Sequence, residues 1–185
     1  MERIFIALKV KPGESLLRIH SSLIAVLGGE RINWTYPSNI HLTLAFLGNT
    51  EDDLIKIVSI MLKQKCTGFG EFSFTLKETG VFKNYHDPRV IWIGIENNET
   101  LMKLYDEINT GLKDAGFKTE NRPFRPHITL GRIKSIRNTD ILRSSLEKYQ
   151  NAFIQEVLVR EVILFESILN TSGPEYRPEG RFILL

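Results

Sequence analysis

The tetrapeptide His-x-Thr-Leu occurs twice in this chain, as His41-Leu42-Thr43-Leu44 and as His127-Ile128-Thr129-Leu130, 86 residues apart. Each copy lies in a run of Leu, Ile, Thr and Phe, residues that favour a pleated strand over a helix. Along a strand, residues i and i+2 share one face and i+1 and i+3 the other. Each copy therefore offers an imidazole and a hydroxyl to one side and drives two aliphatic anchors into a core on the other. Two such strands facing each other across a cleft bring two titratable groups and two hydroxyl donors around one small anion. A single His-x-Thr carries little information, because a histidine at a sheet edge usually finds a backbone partner. The second copy, with matching aliphatic anchors, points to a paired site.

That set of groups suits metal-free acid–base chemistry on a phosphodiester. Imidazole titrates near pH 6.5, so a neutral and a protonated copy can coexist around neutrality, one to activate water and one to protonate a leaving oxygen. Around the second copy the charge is one-sided. From Arg122 to Arg137 there are five basic residues (Arg122, Arg125, Arg132, Lys134, Arg137) and no acidic one, in a chain whose formal net charge is only +2. Such a local field attracts phosphate, although a charge run is more often a solvated loop. Strict alternation places Gly131 on the face of His127 and Thr129 and turns Arg132 away, unless a bulge or strand end intervenes.

The composition, 42% hydrophobic and 25% charged over 185 residues, is ordinary for a globular protein and suits one domain or two joined lobes sharing a core. The lone cysteine, Cys66, excludes an internal disulfide and reads as a structural thiol at a helix end. The apolar run at the N-terminus is too short for a signal peptide and no span reaches membrane length, which points to the cytoplasm.

The pattern predicts a strand near 2–9, a helix with Leu16, Leu23, Ile24 and Leu27 on one side ending at Gly28-Gly29, and the first motif strand after Pro37. Thr50 then reads as the N-cap of a helix carrying Leu54, Ile57, Val58 and Met61. Strands follow from Phe72 and over Val90–Ile95, and Asn98 reads as the cap of a helix with Leu101, Leu104, Tyr105, Ile108 and Leu112. After the second motif come a short helix around 139–149 and long strands near 153–169 and 176–184, joined by Gly173-Pro174. This order argues an α+β fold with largely antiparallel sheets.

The stretch Trp34–Gly48 and the Arg-Pro-Phe-Arg-Pro-His-Ile-Thr-Leu-Gly-Arg segment from Arg122 resemble the two signatures of the two-histidine (2H) phosphoesterase superfamily. Within it, the chain is most similar to RNA 2′,3′-cyclic phosphodiesterases, also called 2′–5′ RNA ligases. Arg3–Ala7, Arg89–Gly94 and Val162–Ser167 extend the likeness nearly end to end. One departure is Ala45, where many relatives carry a lysine. The resemblance implies residues 1–185 as one domain of two pseudo-symmetric lobes, each a mostly antiparallel sheet backed by helices, around a central groove. It implies His41 as proton donor and His127 as proton acceptor, with Thr43, Thr129, Arg125 and Arg132 holding the phosphate, and no metal or cofactor. The substrate implied is RNA ending in a 2′,3′-cyclic phosphate, opened to a 2′-phosphate, with reversible 2′–5′ ligation as a possible side activity. A monomer is expected.

The alternatives keep the site and change its use: another small cyclic nucleotide as substrate, or a catalytically silent module that holds RNA ends or nucleotides. His20 reads as structural on the first helix and His86 as a loop residue. The histidines lack the close spacing of most zinc sites, and Ser21-Ser22 and Ser144-Ser145 lack the context of a nucleophile. Trp34 and Phe46 read as core residues, and Tyr36 and Phe124 as open candidates for stacking a base.

Overall fold

Alternation and capping set most of the elements in the computed structural model, which describes residues 1–119, 122–171 and 173–185. In chain order these are β1 (Glu2–Lys9), α1 (Glu14–Val26), β2 (Arg31–Trp34), a 3-10 turn (Pro37–Asn39), β3 (His41–Thr50), α2 (Asp52–Cys66), β4 (Phe72–Phe82), β5 (Val90–Ile95), α3 (Glu99–Asp114), β6 (His127–Ser135), α4 (Thr139–Glu147), β7 (Phe153–Val159), β8 (Glu161–Asn170) and β9 (Gly173–Ile183). Asn98 caps α3 as the sequence predicts, its side chain accepting from Leu101 N at 2.8 Å. Asn138 does the same for α4, accepting from the backbone of Asp140 and Ile141.

The strands form one nine-stranded sheet in the order β7-β4-β5-β6-β3-β1-β8-β9, with β2 beside β6. The fold is α+β and the strand pairs are antiparallel. At the centre, β3 and β6 meet through the single bridge Leu42–Ile128, while β3 and β1 pair over eight positions. That narrow seam divides the sheet into a β3-β1-β8-β9 half and a β6-β5-β4-β7 half, each with a motif strand innermost. The halves exchange strands: β4 follows α2 but joins the second half, and β8 follows β7 but joins the first.

The helices cover one face. Leu16 and Leu23 of α1, Val58 and Leu62 of α2, Leu104 and Ile108 of α3 and Leu142 of α4 bury into one cluster with Leu42, Leu44, Ile128 and Leu130. The opposite face carries a smaller cluster of Phe5, Ala7, Ile163 and Phe165, with Tyr176 against it.

Three local expectations change. The strand predicted over 153–169 is broken at Arg160, whose carbonyl accepts from Leu184 N at 2.8 Å. Its pieces, β7 and β8, pair with β4 and β1 in opposite halves. A one-residue break does not interrupt the hydrophobic pattern, so only pairing reveals it. Thr50 is not a cap: it ends β3, paired with Glu2, and Glu51 takes the cap position without a side-chain bond. Strand β2 arises between the end of the first helix and the first motif, where the sequence pattern predicts no element, through pairing with β6.

Candidate active site

Both motif histidines stand at the first position of their strands, and both rings are fixed in the same way. His41 Nδ1 lies 2.6 Å from the carbonyl oxygen of Asn39, and His127 Nδ1 lies 2.7 Å from that of Arg125. A carbonyl only accepts, so each Nδ1 carries the proton and each Nε2 is left for other work. The two-residue reach back along the chain is set by the residue between: Ile40 is extended (φ −68°, ψ 126°), and Pro126 has its φ fixed by its ring.

One residue either side of the Leu42–Ile128 bridge, an antiparallel ladder sets His41 beside Thr129 and His127 beside Thr43. The two imidazoles and two hydroxyls thus form a four-residue patch across the seam, on the face opposite the helices. All four are half-buried, with Leu42, Leu44, Ile128 and Leu130 buried beneath them. The sequence places the motifs on strands facing across a cleft; in the structure those strands are neighbours in one sheet.

Aromatic rings hold each imidazole from the side. Phe5 and Tyr176 lie 5.1 and 5.2 Å from the His41 ring, and Phe82 stands edge-on to His127 at 4.5 Å. Tyr176 comes from the β8–β9 hairpin, a contact no sequence pattern announced. Phe82 in turn packs on Trp92, whose indole lies where a Cβ at Gly80 would be.

Beyond each motif, the same irregularity turns the strand. In β3, Ala7 pairs with Thr43 and Ile6 with Ala45, leaving Leu44 bulged; in β6, Trp92 pairs with Thr129 and Ile91 with Gly131, leaving Leu130 bulged. Each bulge reverses the alternation that follows. Gly131 therefore faces the buried side, where a Cβ would sit 2.9 Å from Ile32 Cγ2 and 3.0 Å from Trp34 Cε3. The expectation of Gly131 on the histidine face is corrected. Arg132, its neighbour, comes round to that face, and its charge bears on His41, His127 and Tyr176 alike. Arg125 is placed differently: its carbonyl holds His127, and its exposed side chain is not among the charges acting on either imidazole. Ala45 packs toward the core, so a longer residue there would not point at the histidines.

Burial is the largest influence on both imidazoles and pushes each below its ordinary pKa; the backbone carbonyl bond partly offsets this. The positive charge of Arg132 depresses both further, and His41 also senses His127 and Lys9. Lys9 is the cross-strand partner of His41, while Gly94 takes that place beside His127.

The remaining candidates fall outside this patch. His20 is buried against Trp34, as a structural histidine. Phe46 is not core: it is 58% exposed and lies on the histidine face, its ring against Phe5. Phe124 stacks face to face on Tyr105, with centroids 3.9 Å apart. Cys66 is buried, which pushes its thiol up to about 12. A carboxylate cluster with metal-ligand spacing, Glu2, Glu166 and Glu179, contains neither motif histidine.

A sheet whose central seam joins two carbonyl-locked His-x-Thr strands defines the class as a paired-histidine α+β protein. The family model described as the 2′-5′ RNA ligase superfamily matches residues 34–167, and the chain belongs to that superfamily. It is 38% identical over 177 residues to an RNA 2′,3′-cyclic phosphodiesterase of Thermotoga maritima, covering 95% of this chain and 91% of the relative. A protein of the same description from Methanothermobacter thermautotrophicus is 31% identical, covering 94% of each chain. Among solved structures, TT0787 of Thermus thermophilus superposes with a TM-score of 0.76 at 24% identity, over 98% of this chain and 97% of that one. The E. coli LigT structure complexed with 3′-AMP gives 0.73 at 24% identity, over 99% and 98%. Among the described residues, no helix is long and apolar enough to cross a membrane.

Proposed function

We propose that this chain hydrolyses RNA 2′,3′-cyclic phosphodiester ends to 2′-phosphomonoesters by acid–base catalysis from its two motif histidines, without a metal ion or cofactor. The observation that carries the reading is the pair of imidazoles locked through Nδ1 and meeting across one seam, each with Nε2 left for a proton. The relatives described as RNA 2′,3′-cyclic phosphodiesterases supply the substrate class.

In the free enzyme, burial and Arg132 favour neutral imidazoles. A bound phosphodiester anion offsets the charge of Arg132 and restores a proton to one ring. With His41 charged and His127 neutral, His127 Nε2 takes a proton from water as the water oxygen attacks phosphorus. The bond from phosphorus to the ribose 3′-oxygen breaks, and His41 Nε2 delivers its proton to that oxygen. The 2′-phosphate stays attached, and each ring ends in the other's starting state. Each transfer is worth about 10²–10⁴-fold in rate. Thr43 and Thr129 donate hydrogen bonds to the non-bridging oxygens, and Arg132 balances the charge that builds on them. Arg125 lends its carbonyl to His127 and its exposed guanidinium to the approaching strand. With an RNA 5′-hydroxyl in place of water as the nucleophile, the same steps join the two ends through a 2′–5′ bond. The proposed setting is a monomer in the cytoplasm.

Hydrolysis of an RNA ending in a 2′,3′-cyclic phosphate, in excess EDTA, tests this. Turnover with a 2′-phosphate product that disappears in both His41→Ala and His127→Ala is the expected result. A 3′-phosphate product would reverse which bond breaks, and turnover surviving both substitutions would remove the paired mechanism.

A further inference from the structure

The tip of the β8–β9 hairpin is fastened to the turn that leads into the first motif. Asn39 Nδ2 donates to the carbonyl oxygen of Pro174 at 2.9 Å, and a Cβ on Gly173 would meet the Tyr36 ring at 3.5 Å. Between tip and turn lies a cavity of about 340 Å³, lined by Tyr36, Asn39, Asn170, Pro174, Glu175 and Tyr176 among others. Its size falls at the lower end of small-ligand sites.

Two properties define what fits there. The first is aromatic side chains: Tyr36, 57% exposed, and Tyr176 are among its lining residues. The second is the sense of its polar groups. Asn39 uses its amide nitrogen on the Pro174 carbonyl, and Asn170 uses its own on Glu175 Oε2 at 3.1 Å. Both partners only accept, which fixes the orientation of each amide and leaves each amide oxygen as an acceptor. Glu175 adds carboxylate oxygens, with Arg177 as a counter-charge at 3.9 Å. An aromatic ring presenting N–H donors complements this lining. The cavity also adjoins the first motif: Tyr176 contacts the His41 ring, and the Asn39 carbonyl holds its Nδ1.

We propose that this cavity binds the base of the nucleotide that bears the cyclic phosphate, and favours bases with an exocyclic amino group over uracil. Adenine, cytosine and guanine each bring an NH₂ to the acceptors; uracil brings two carbonyl oxygens and one N–H. The inference rests on the cyclic phosphodiesterase reading above. Tyr36 stacks the base and Glu175 discriminates, and neither touches the reacting atoms.

Steady-state hydrolysis of the four nucleoside 2′,3′-cyclic phosphates by the intact protein, Tyr36→Ala and Glu175→Gln tests it, alongside calorimetric binding of adenosine and uridine 2′-monophosphates. Expected are a KM about tenfold lower for adenosine than for uridine, and a rise in KM of about tenfold in Tyr36→Ala with a far smaller change in kcat. Glu175→Gln narrows the gap between cytidine and uridine. Equal KM values for all four bases, unmoved by Tyr36→Ala while hydrolysis proceeds, would overturn the base site and leave the activity standing. If no cyclic phosphate is hydrolysed, the activity reading fails instead, and the calorimetry decides the cavity by itself. Equal affinities for the two monophosphates, unchanged in Tyr36→Ala, then overturn it.

Discussion

The two motif strands are alike in the backbone features that orient an imidazole and different in the residues they carry around it. Counting from each histidine, both halves have a carbonyl two residues back, a hydroxyl two residues on and a bulged leucine at the third position. At the fifth, one half has Phe46 and the other Arg132, both turned to the histidine face. At the cross-strand position one has Lys9 and the other Gly94. On the proposed mechanism the two rings trade a proton, which two similarly held imidazoles suit, and Arg132 faces the phosphate. A second arginine in the mirrored place would depress both imidazoles further. The symmetry would then serve the proposed acid–base pair, and its breaking the proposed anion site.

The strongest test of the symmetric part is removal of either ring. His41→Ala and His127→Ala should each lower kcat by about 10²–10⁴-fold with circular dichroism unchanged, and a loss confined to one of them would break the equivalence of the halves. The asymmetric part predicts that Arg132→Ala lowers kcat/KM by about 10²–10³-fold while Phe46→Ala leaves kcat nearly unaltered. A comparable loss in both would contradict the assignment of charge to one half.

At the fourth position the halves carry Ala45 and Gly131. Making them alike with Gly131→Ala forces a Cβ within 3.0 Å of Ile32 and Trp34 and should cost about 1–3 kcal/mol in urea denaturation. The helices ahead of the two motifs also differ, since Asn98 caps α3 through its side chain and Gly13 at the same place on α1 does not. Asn98→Ala should lose about 1 kcal/mol by the same assay.

The finest distinction lies in the titrations. Removing positive charge raises a nearby histidine pKa, so Arg132→Ala should raise both in NMR titration and Lys9→Met only that of His41. Stability follows the same shifts. His20, His41 and His127 all have folded pKa values below the ordinary 6.5, so near and below that pH the unfolded chain binds more protons than the folded one. Their contribution is complete above about 6.5 and is lost as pH falls through the folded values. The urea midpoint should drop between pH 7.5 and 5.5, and a flat profile would show that the rings are not buried neutral.

Much of this was legible from residue order. Period-two alternation in β4, the unbroken apolar runs of β1 and β5 and the cap at Asn98 are local signals, and each could be read without knowing its partner. So could His41, Thr43, His127 and Thr129, because a motif written twice declares itself. The break at Arg160 could not be read, since a strand that changes partner keeps its alternation. Nor could Phe46, a large apolar residue that normal counting buries.

The sequence alone determined most of the strands, the shared face of each histidine and its threonine, and that two histidines belong together, because propensity and periodicity act over a few neighbours. Only the tertiary structure decided that the two strands touch at one bridge, that matched bulges bring Arg132 round and turn Gly131 under, and that a distant hairpin lays Tyr176 on His41. Bulges and cross-sheet contacts depend on what each strand pairs with, and pairing is settled by the whole chain.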